Sequence, residues 1–258
     1  MKETALITGA SSGIGFELSL LLADKGYDLI ITARNAEKLN QLRKKILANH
    51  QVNIIVIPKD LSLVASSKEL YLEIKRQQLK VTILINNAGF GDYNEFSTSD
   101  IEKQLQMIQL NVLSVISLTR YIMEDMKKEN YGKILNVASI LAFFPMPLFS
   151  VYAATKSFIL SFSEAINEEL KPTNISVTCL CPGPTKSNFT QNSEMEQSRA
   201  YKNLRQAEPK EVAKLGIKAM LKGKRTVIYG FGNKLLVFST RLGTRGLVLK
   251  IAKFISGK

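Results

Sequence analysis

Histidine is almost missing from this sequence: His50, in the polar turn ANHQVN, stands alone. Triad chemistry and histidine-rich metal sites therefore have almost nothing to draw on. Cysteine is nearly as scarce. Cys179 and Cys181 fall in the strand-like run ISVTCLCPG, where they are assigned to opposite faces as reduced core thiols, forming neither a disulfide nor a metal site. No apolar run approaches the roughly 18 residues that span a bilayer. The opening MKETALITGASSG meets an acid at Glu3 and then glycines and serines, so it does not read as a signal peptide. These absences lead us to expect a cytoplasmic protein, associated with a membrane at most peripherally. Internal repeats and low-complexity tracts are also lacking.

Acid is missing from the last part of the chain. After Glu211 no Asp or Glu follows, while eleven bases do, so that only +2 of the +13 net charge belongs to the rest. NKLLVFSTRL and GLVLKIAKFI, near the C-terminus, are apolar stretches punctuated by these bases, with Gly243 and Gly246 between them. Three roles are open to residues 231–258: an apolar face packed over the substrate cleft or a subunit interface, a basic amphipathic membrane-surface element, or a basic patch for an acidic substrate or acyl carrier. Nucleic-acid binding is not expected, because no recognised module accompanies the charge.

With 258 residues, 45% of them apolar, the chain can fold as a single α/β domain with a sizeable core. Thr4 to Thr8 reads as a strand, GASSGIG as a glycine-rich turn, and Phe16 to Lys25 as a helix. Such a turn presents backbone N–H groups and a helix N-terminus to an anion, and is either structural or phosphate-binding. Its spacing is G-x-x-x-G-x-G, which differs from the general G-x-G-x-x-G fingerprint. A second strand, Asp28 to Thr32, leads into Ala33, Arg34 and Asn35. An acid there would bind an adenosine ribose, whereas an arginine accepts a 2′-phosphate, so Arg34 favours NADP(H) over NAD(H) unless it is merely solvated.

Further along, helix Glu37 to Ala48, strand Asn53 to Ile57 and the Asp60-Leu61 junction follow. Ser62 is read as the N-cap of helix Val64 to Gln77. Strand Val81 to Ile85 runs into Asn86-Asn87-Ala88-Gly89, and one long helix is expected over Asp100 to Met126. Asn111 inside that helix needs buried partners, from a local bond or from a polar site. Strand Lys133 to Val137, helix Val151 to Leu170, strand Ile175 to Leu180 and strand Thr226 to Tyr229 complete the alternation. The fold class expected is a Rossmann-type, doubly wound, parallel sheet of seven strands over residues 1–230, followed by a basic helical extension. Ligands should lie beyond the carboxyl ends of its strands, where these motifs fall.

Tyr152 and Lys156, four apart at helical spacing, project from one face. They are either an ordinary surface pair or a phenol tuned for proton transfer, since an adjacent ammonium favours the phenolate. Ser139, just past a strand end, is placed to hydrogen-bond a substrate oxygen.

Taken together, TGASSGIG (Thr8 to Gly15), Asp60-Leu61, NNAG (Asn86 to Gly89), Asn111, Ser139, YAATK (Tyr152 to Lys156) and PGPT (Pro182 to Thr185) resemble the short-chain dehydrogenase/reductase family over about Lys2 to Gly230. The resemblance implies that Tyr152 protonates a carbonyl oxygen and Ser139 polarises it. It also implies that Lys156 lowers the tyrosine pKa and binds the nicotinamide ribose, while Asn111 holds a water linking Lys156 to solvent. Gly9, Ser11, Ser12, Gly13, Ile14, Gly15, Arg34, Asp60, Leu61, Asn87, Ala88, Gly89, Pro182, Gly183 and Thr185 would join Tyr152 and Lys156 around the cofactor. A small-molecule carbonyl or alcohol would be the substrate, with a 3-oxoacyl thioester as the alternative; a nucleotide-sensing protein without turnover is the rival from another class. Homodimers or homotetramers would pair through the helices bearing Asn111 and Tyr152. The loop from about Lys186 to Gln206 would cover the substrate. The apolar residues Leu141, Phe143, Phe144, Met146, Leu148 and Phe149 would either line its pocket or pack beneath that loop.

Overall fold

The apolar strands sort their side chains into two layers by simple alternation. Ala5, Ile7, Leu29, Ile31, Ile83 and Ile85 point to one side of the sheet, and Leu6, Ile30, Leu84, Ile134 and Val177 to the other. Both sets are buried, so these strands read as continuous apolar runs and require helices on both faces. A computed structural model describes residues 3–186 and 206–257. Its seven parallel strands are β1 (Thr4–Thr8), β2 (Asp28–Thr32), β3 (Ile54–Val56), β4 (Ile83–Asn86), β5 (Gly132–Val137), β6 (Ile175–Cys181) and β7 (Thr226–Ile228), in the order β3-β2-β1-β4-β5-β6-β7. The order reverses between β1 and β4, which opens a crevice at their carboxyl ends.

Helices α1 (Gly13–Asp24) and α2 (Ala36–Leu47) cover the first face, while α3 (Ser66–Arg76) covers the second. Each buries a stripe such as Leu18 and Leu22, or Leu70 and Ile74. A fully buried Leu or Ile contributes about 1.5–3 kcal/mol.

One long helix is not formed over Asp100 to Met126. Instead, α4 (Ile101–Ile108) passes through a π-helical turn (Gln109–Leu113) into α5 (Ser114–Glu129). The turn buries Asn111, whose Nδ2 donates to Phe90 O at 2.9 Å while its Oδ1 accepts from Phe90 N at 3.1 Å. Ser62 is not a helix cap either: its N–H and hydroxyl both reach Asp60 Oδ1, at 3.0 and 2.7 Å, and α3 begins four residues later. The cysteines lie on the same face, because a two-residue step on a strand returns to the same side. Cys179 and Cys181 are buried thiols with Sγ atoms 3.8 Å apart.

After β5 come α6 (Ser150–Glu169), β6 and α7 (Pro209–Leu221), a helix opened by proline at its first turn. Beyond β7, the extension folds into α8 (Phe231–Leu242) and α9 (Arg245–Ser256), joined at Gly243-Thr244. Val237 and Ala252 are buried in an apolar cluster with Tyr93, Met146, Phe149 and Tyr152, and the Tyr93 hydroxyl donates to Ser256 O at 2.5 Å. Among the described residues no helix is long and apolar enough to cross a membrane. No cluster of potential metal ligands occurs among them either.

Candidate active site

The end of β1 is fastened to the end of β4 by the Thr8 hydroxyl and the Asn87 side-chain amide. Thr8 Oγ1 accepts from the backbone N–H groups of Asn87 and Ala88, each at 3.0 Å, and Asn87 Nδ2 donates back to Thr8 O and Gly9 O. Gly9, at φ +67°, and Gly15 make room for this contact: a Cβ on Gly15 would stand 2.3 Å from Gly9 O. The glycines thus permit β1, the following loop and β4 to meet.

A cavity of about 630 Å³ runs along these strand ends. Ser11, Ser12, Gly13 and Ile14 line it at the N-terminus of α1, whose first turn contains no acid and whose N-cap, Ser12, makes no side-chain capping bond. That leaves a positive helix end for an anion. Arg34 is on the wall with Thr32, Lys38 and Lys59, followed by Asp60 and Leu61. The Thr32 hydroxyl is buried without a hydrogen-bond partner, a polar atom still to be satisfied. Glycine loop, helix N-terminus and cations together suit a dinucleotide phosphate.

Ser139, Tyr152 and Lys156 enter the same cavity further along. Ser139 follows β5, while α6 brings Tyr152 and Lys156 forward on consecutive turns. The Ser139 hydroxyl accepts from Leu141 N at 3.1 Å and hydrogen-bonds the Tyr152 phenol. Burial pushes the phenol's pKa above its ordinary value, and the bond with Ser139 only partly offsets that. Burial brings the Lys156 ammonium down to about 8, with the neighbouring Cys179 and Cys181 acting in the opposite sense. Lys156 Nζ lies 5.7 Å from the Tyr152 ring centroid. The two are therefore close, but burial, opposed only by the Ser139 bond, sets the direction of the phenol's shift and favours its protonated form.

A family model described as short chain dehydrogenase matches residues 3–198. The chain belongs to the short-chain dehydrogenase/reductase family. Among curated proteins it is similar to human dehydrogenase/reductase SDR family member 7, 32% identical over 191 residues, covering 72% of this chain and 56% of that protein. It is similarly related to mouse very-long-chain 3-oxoacyl-CoA reductase, 33% identical over 188 residues, covering 70% and 59%. The chain thus spans a little over half the length of these relatives. Among solved structures, a short-chain dehydrogenase from Sphingobium yanoikuyae in complex with NADPH superposes with a TM-score of 0.83 at 26% identity, covering 93% of this chain and 94% of that one.

Of the positions at which the sequence resembles this oxidoreductase family, Gly9, Ser11, Ser12, Gly13, Ile14, Arg34, Asp60, Leu61, Asn87, Ala88, Gly89, Ser139, Tyr152, Lys156, Pro182, Gly183 and Thr185 all line the cavity. Gly15 lies behind it, against Gly9. Asn111 also stands behind the wall. Its amide is taken up by Phe90 and by Thr155 Oγ1 at 3.2 Å, and a Cβ on Gly89 would stand 2.9 Å from Asn111 Oδ1 and 3.5 Å from Lys156 Nζ.

Of the expected covering loop, about Lys186 to Gln206, residues 187–205, with Gln191, Asn192, Glu194, Glu196 and Arg199, lie outside the described residues. Leu141, Phe144, Met146 and Phe149 line the cavity, while Phe143 and Leu148 pack in the adjoining apolar cluster. Leu148 holds φ +65°, a left-handed conformation, and its carbonyl accepts from Asn94 N at 3.0 Å.

Sequence reasoning missed Lys38, the third residue of α2, whose N–H bonds to the N-cap Asn35 just after Arg34. It also left the roof undecided. Leu236, Thr240, Val248 and Ile255, from α8 and α9, close the apolar end.

Proposed function

We propose that the chain reduces a lipophilic carbonyl compound to the alcohol with NADP(H), with Tyr152 as the proton donor. One observation carries this reading: Ser139, Tyr152 and Lys156 converge where the cation- and glycine-lined end of the cavity meets its apolar end. The bound nicotinamide supplies the hydride that reaches the carbonyl carbon. Gly9, Ser11, Ser12, Gly13, Ile14 and Gly15 would shape the phosphate loop, with Asp60, Leu61, Asn87, Ala88, Gly89, Pro182, Gly183 and Thr185 along the rest. Arg34, standing where an acid would accept a ribose hydroxyl, favours the 2′-phosphate of NADP(H).

The Ser139 and Tyr152 hydroxyls, already hydrogen-bonded together, form a fork for the carbonyl oxygen. Because Tyr152 is held protonated by burial, it can deliver its proton to that oxygen as negative charge develops there. The phenolate left behind is stabilised by the Lys156 ammonium. Asn111 braces Phe90 and Gly89 beside Lys156, where its amide oxygen can hold a water for the return of the proton.

The apolar end favours a hydrophobic substituent on the carbonyl. A 3-oxoacyl thioester is the second reading, supported by the similarity to a very-long-chain 3-oxoacyl-CoA reductase. Pairing of two copies through α4, α5 and α6 is supported by the exposed Leu113 and Phe158 and by an apolar groove between Val112, Val151 and Ala154.

The test is NADPH consumption with a graded series of ketones and 3-oxoacyl thioesters. Turnover should rise with apolar chain length, and Tyr152→Phe should lower it by about 10²–10⁴ while cofactor titration stays nearly unchanged. Undiminished turnover in Tyr152→Phe would remove the proton-donor role.

A further inference from the structure

The two helices that roof the cavity carry the same outward pattern. In α8, Phe231, Leu235 and Phe238 recur at i, i+4 and i+7; in α9, Leu247, Ile251 and Phe254 do so. All six are exposed, Phe231 and Phe254 at 82% and 71%. Lys234 and Lys250 occupy the same place in each repeat, three residues after its first apolar position, and Arg241, Arg245 and Lys253 add further charge. The inner faces are committed elsewhere: Val237 and Ala252 are buried in the cluster that contains Tyr152. Each helix thus carries two apolar stripes, an inner one toward the cavity and an outer one toward solvent, with bases between them.

The charge decides among occupants for the outer face. A second copy of this surface would bring base against base, since neither helix contains an acid. An acidic carrier protein would satisfy the cations but leave exposed phenylalanines and leucines to water. An anionic lipid surface satisfies both, taking large apolar side chains below its headgroups and attracting the lysines and arginines beside them. Leu247 and Ile251 also border the cavity, so the rim of the apolar end belongs to the outward stripe of α9.

We propose that the outer faces of α8 and α9 dock on an anionic lipid surface and present the rim of the cavity to it, so that a lipophilic substrate enters from the bilayer. The docking stands whether or not the chain turns over the carbonyls considered above, because it is read from vesicles and not from activity.

The full chain is floated with vesicles of phosphatidylcholine alone or mixed with phosphatidylserine. Binding is expected to the mixed vesicles and to weaken with salt. Phe231→Glu combined with Phe254→Glu, neither of which borders the cavity, should cut partitioning by at least about tenfold. Lys234→Gln should reduce it about fivefold. Unchanged NADPH titration and thermal unfolding would show that the variants are folded. The chain has no tryptophan, so Leu247→Trp reports on the rim. Its emission should shift to the blue and be quenched by brominated lipid, while Leu72→Trp on α3 should do neither. Failure of the wild type to float, equal flotation of the Phe231→Glu/Phe254→Glu variant, an unquenched Leu247→Trp, or capture by an acidic acyl carrier protein with vesicles ignored would each overturn the proposal.

Discussion

The ammonium of Lys156 donates to the main-chain carbonyl of Val137, the last residue of β5, at 2.9 Å. This bond pins α6 to the end of the sheet and holds a charged group 5% exposed to solvent. Tyr152, one turn earlier, is positioned by the same anchor.

That buried charge predicts a pH dependence of stability. Burial brings Lys156 down to about 8, below its unfolded value of about 10.4. Below the folded pKa the lysine is charged in both states and its desolvation opposes folding. Between about 8 and 10 the native lysine gives up its proton first, which by itself makes stability rise with pH, by up to about 3 kcal/mol, while the Cys181 thiol, raised by its bond to Cys179 and by burial, ionises first in the unfolded chain and works against this rise. At higher pH the phenols oppose this: Tyr131, pushed up to about 12 by burial and Glu3, and Tyr152, also raised, ionise more readily once unfolded. Urea unfolding across this range should give a rising limb in the wild type that is absent in Lys156→Met. Wild-type and Lys156→Met limbs of equal slope would contradict a charged, desolvated Lys156.

Replacement of Arg34 tests the choice of cofactor. Arg34→Ala removes a cation that can make charge-assisted bonds to a 2′-phosphate, each worth about 1.5–3 kcal/mol. Fluorescence titration should show NADPH binding weakened about 10- to 100-fold, with NADH binding little altered. Equal effects on the two cofactors would refute the 2′-phosphate assignment.

Gly15 predicts a local steric failure. In Gly15→Ala the new methyl would meet Gly9 O at 2.3 Å and Asn87 Nδ2 at 2.4 Å, an overpacking that costs about 1–3 kcal/mol. Thermal unfolding should move down and cofactor affinity fall together. Gly232→Ala is the control: it is helical, has open space around it and should be neutral or stabilising by up to about 1 kcal/mol. A Gly15→Ala protein as stable as the wild type would mean that the loop is looser than its contacts imply.

The bond from Tyr93 to Ser256 O predicts a change in the roof. Tyr93→Phe keeps the ring, which lies 4.9 Å from that of Phe149, and removes the hydroxyl. The expected loss is about 1 kcal/mol, with faster hydrogen exchange confined to α9. Unchanged exchange there would show that the bond does not hold the helix.

The strands and most of the cavity wall were legible because each depends on neighbours in sequence. β1 and β2 are buried apolar runs ending in the loops that carry Gly9 and Arg34, and Ser139 and Tyr152 follow from strand-end and helical spacing. What escaped depends on distant partners. Nothing near Asn111 announces that it will bond to Phe90, 21 residues away, within a π-turn. Ser62 was misread because Asp60 competes for its hydroxyl. The depth at which Tyr152 is buried, and hence the direction of its shift, depends on Phe149 and on Val237 from the extension. The cysteines are buried free thiols as expected, and only their placement on opposite faces failed, since two residues along a strand is a full repeat.

The cavity draws its walls from Gly9 at one extreme and Ile255 at the other. During synthesis the phosphate loop and the Ser139, Tyr152 and Lys156 side chains are all made before the roof exists. The bond from Tyr93 to Ser256 O therefore joins an early part of the chain to the last turn of the roof, so the apolar end of the wall is completed only when α9 is in place.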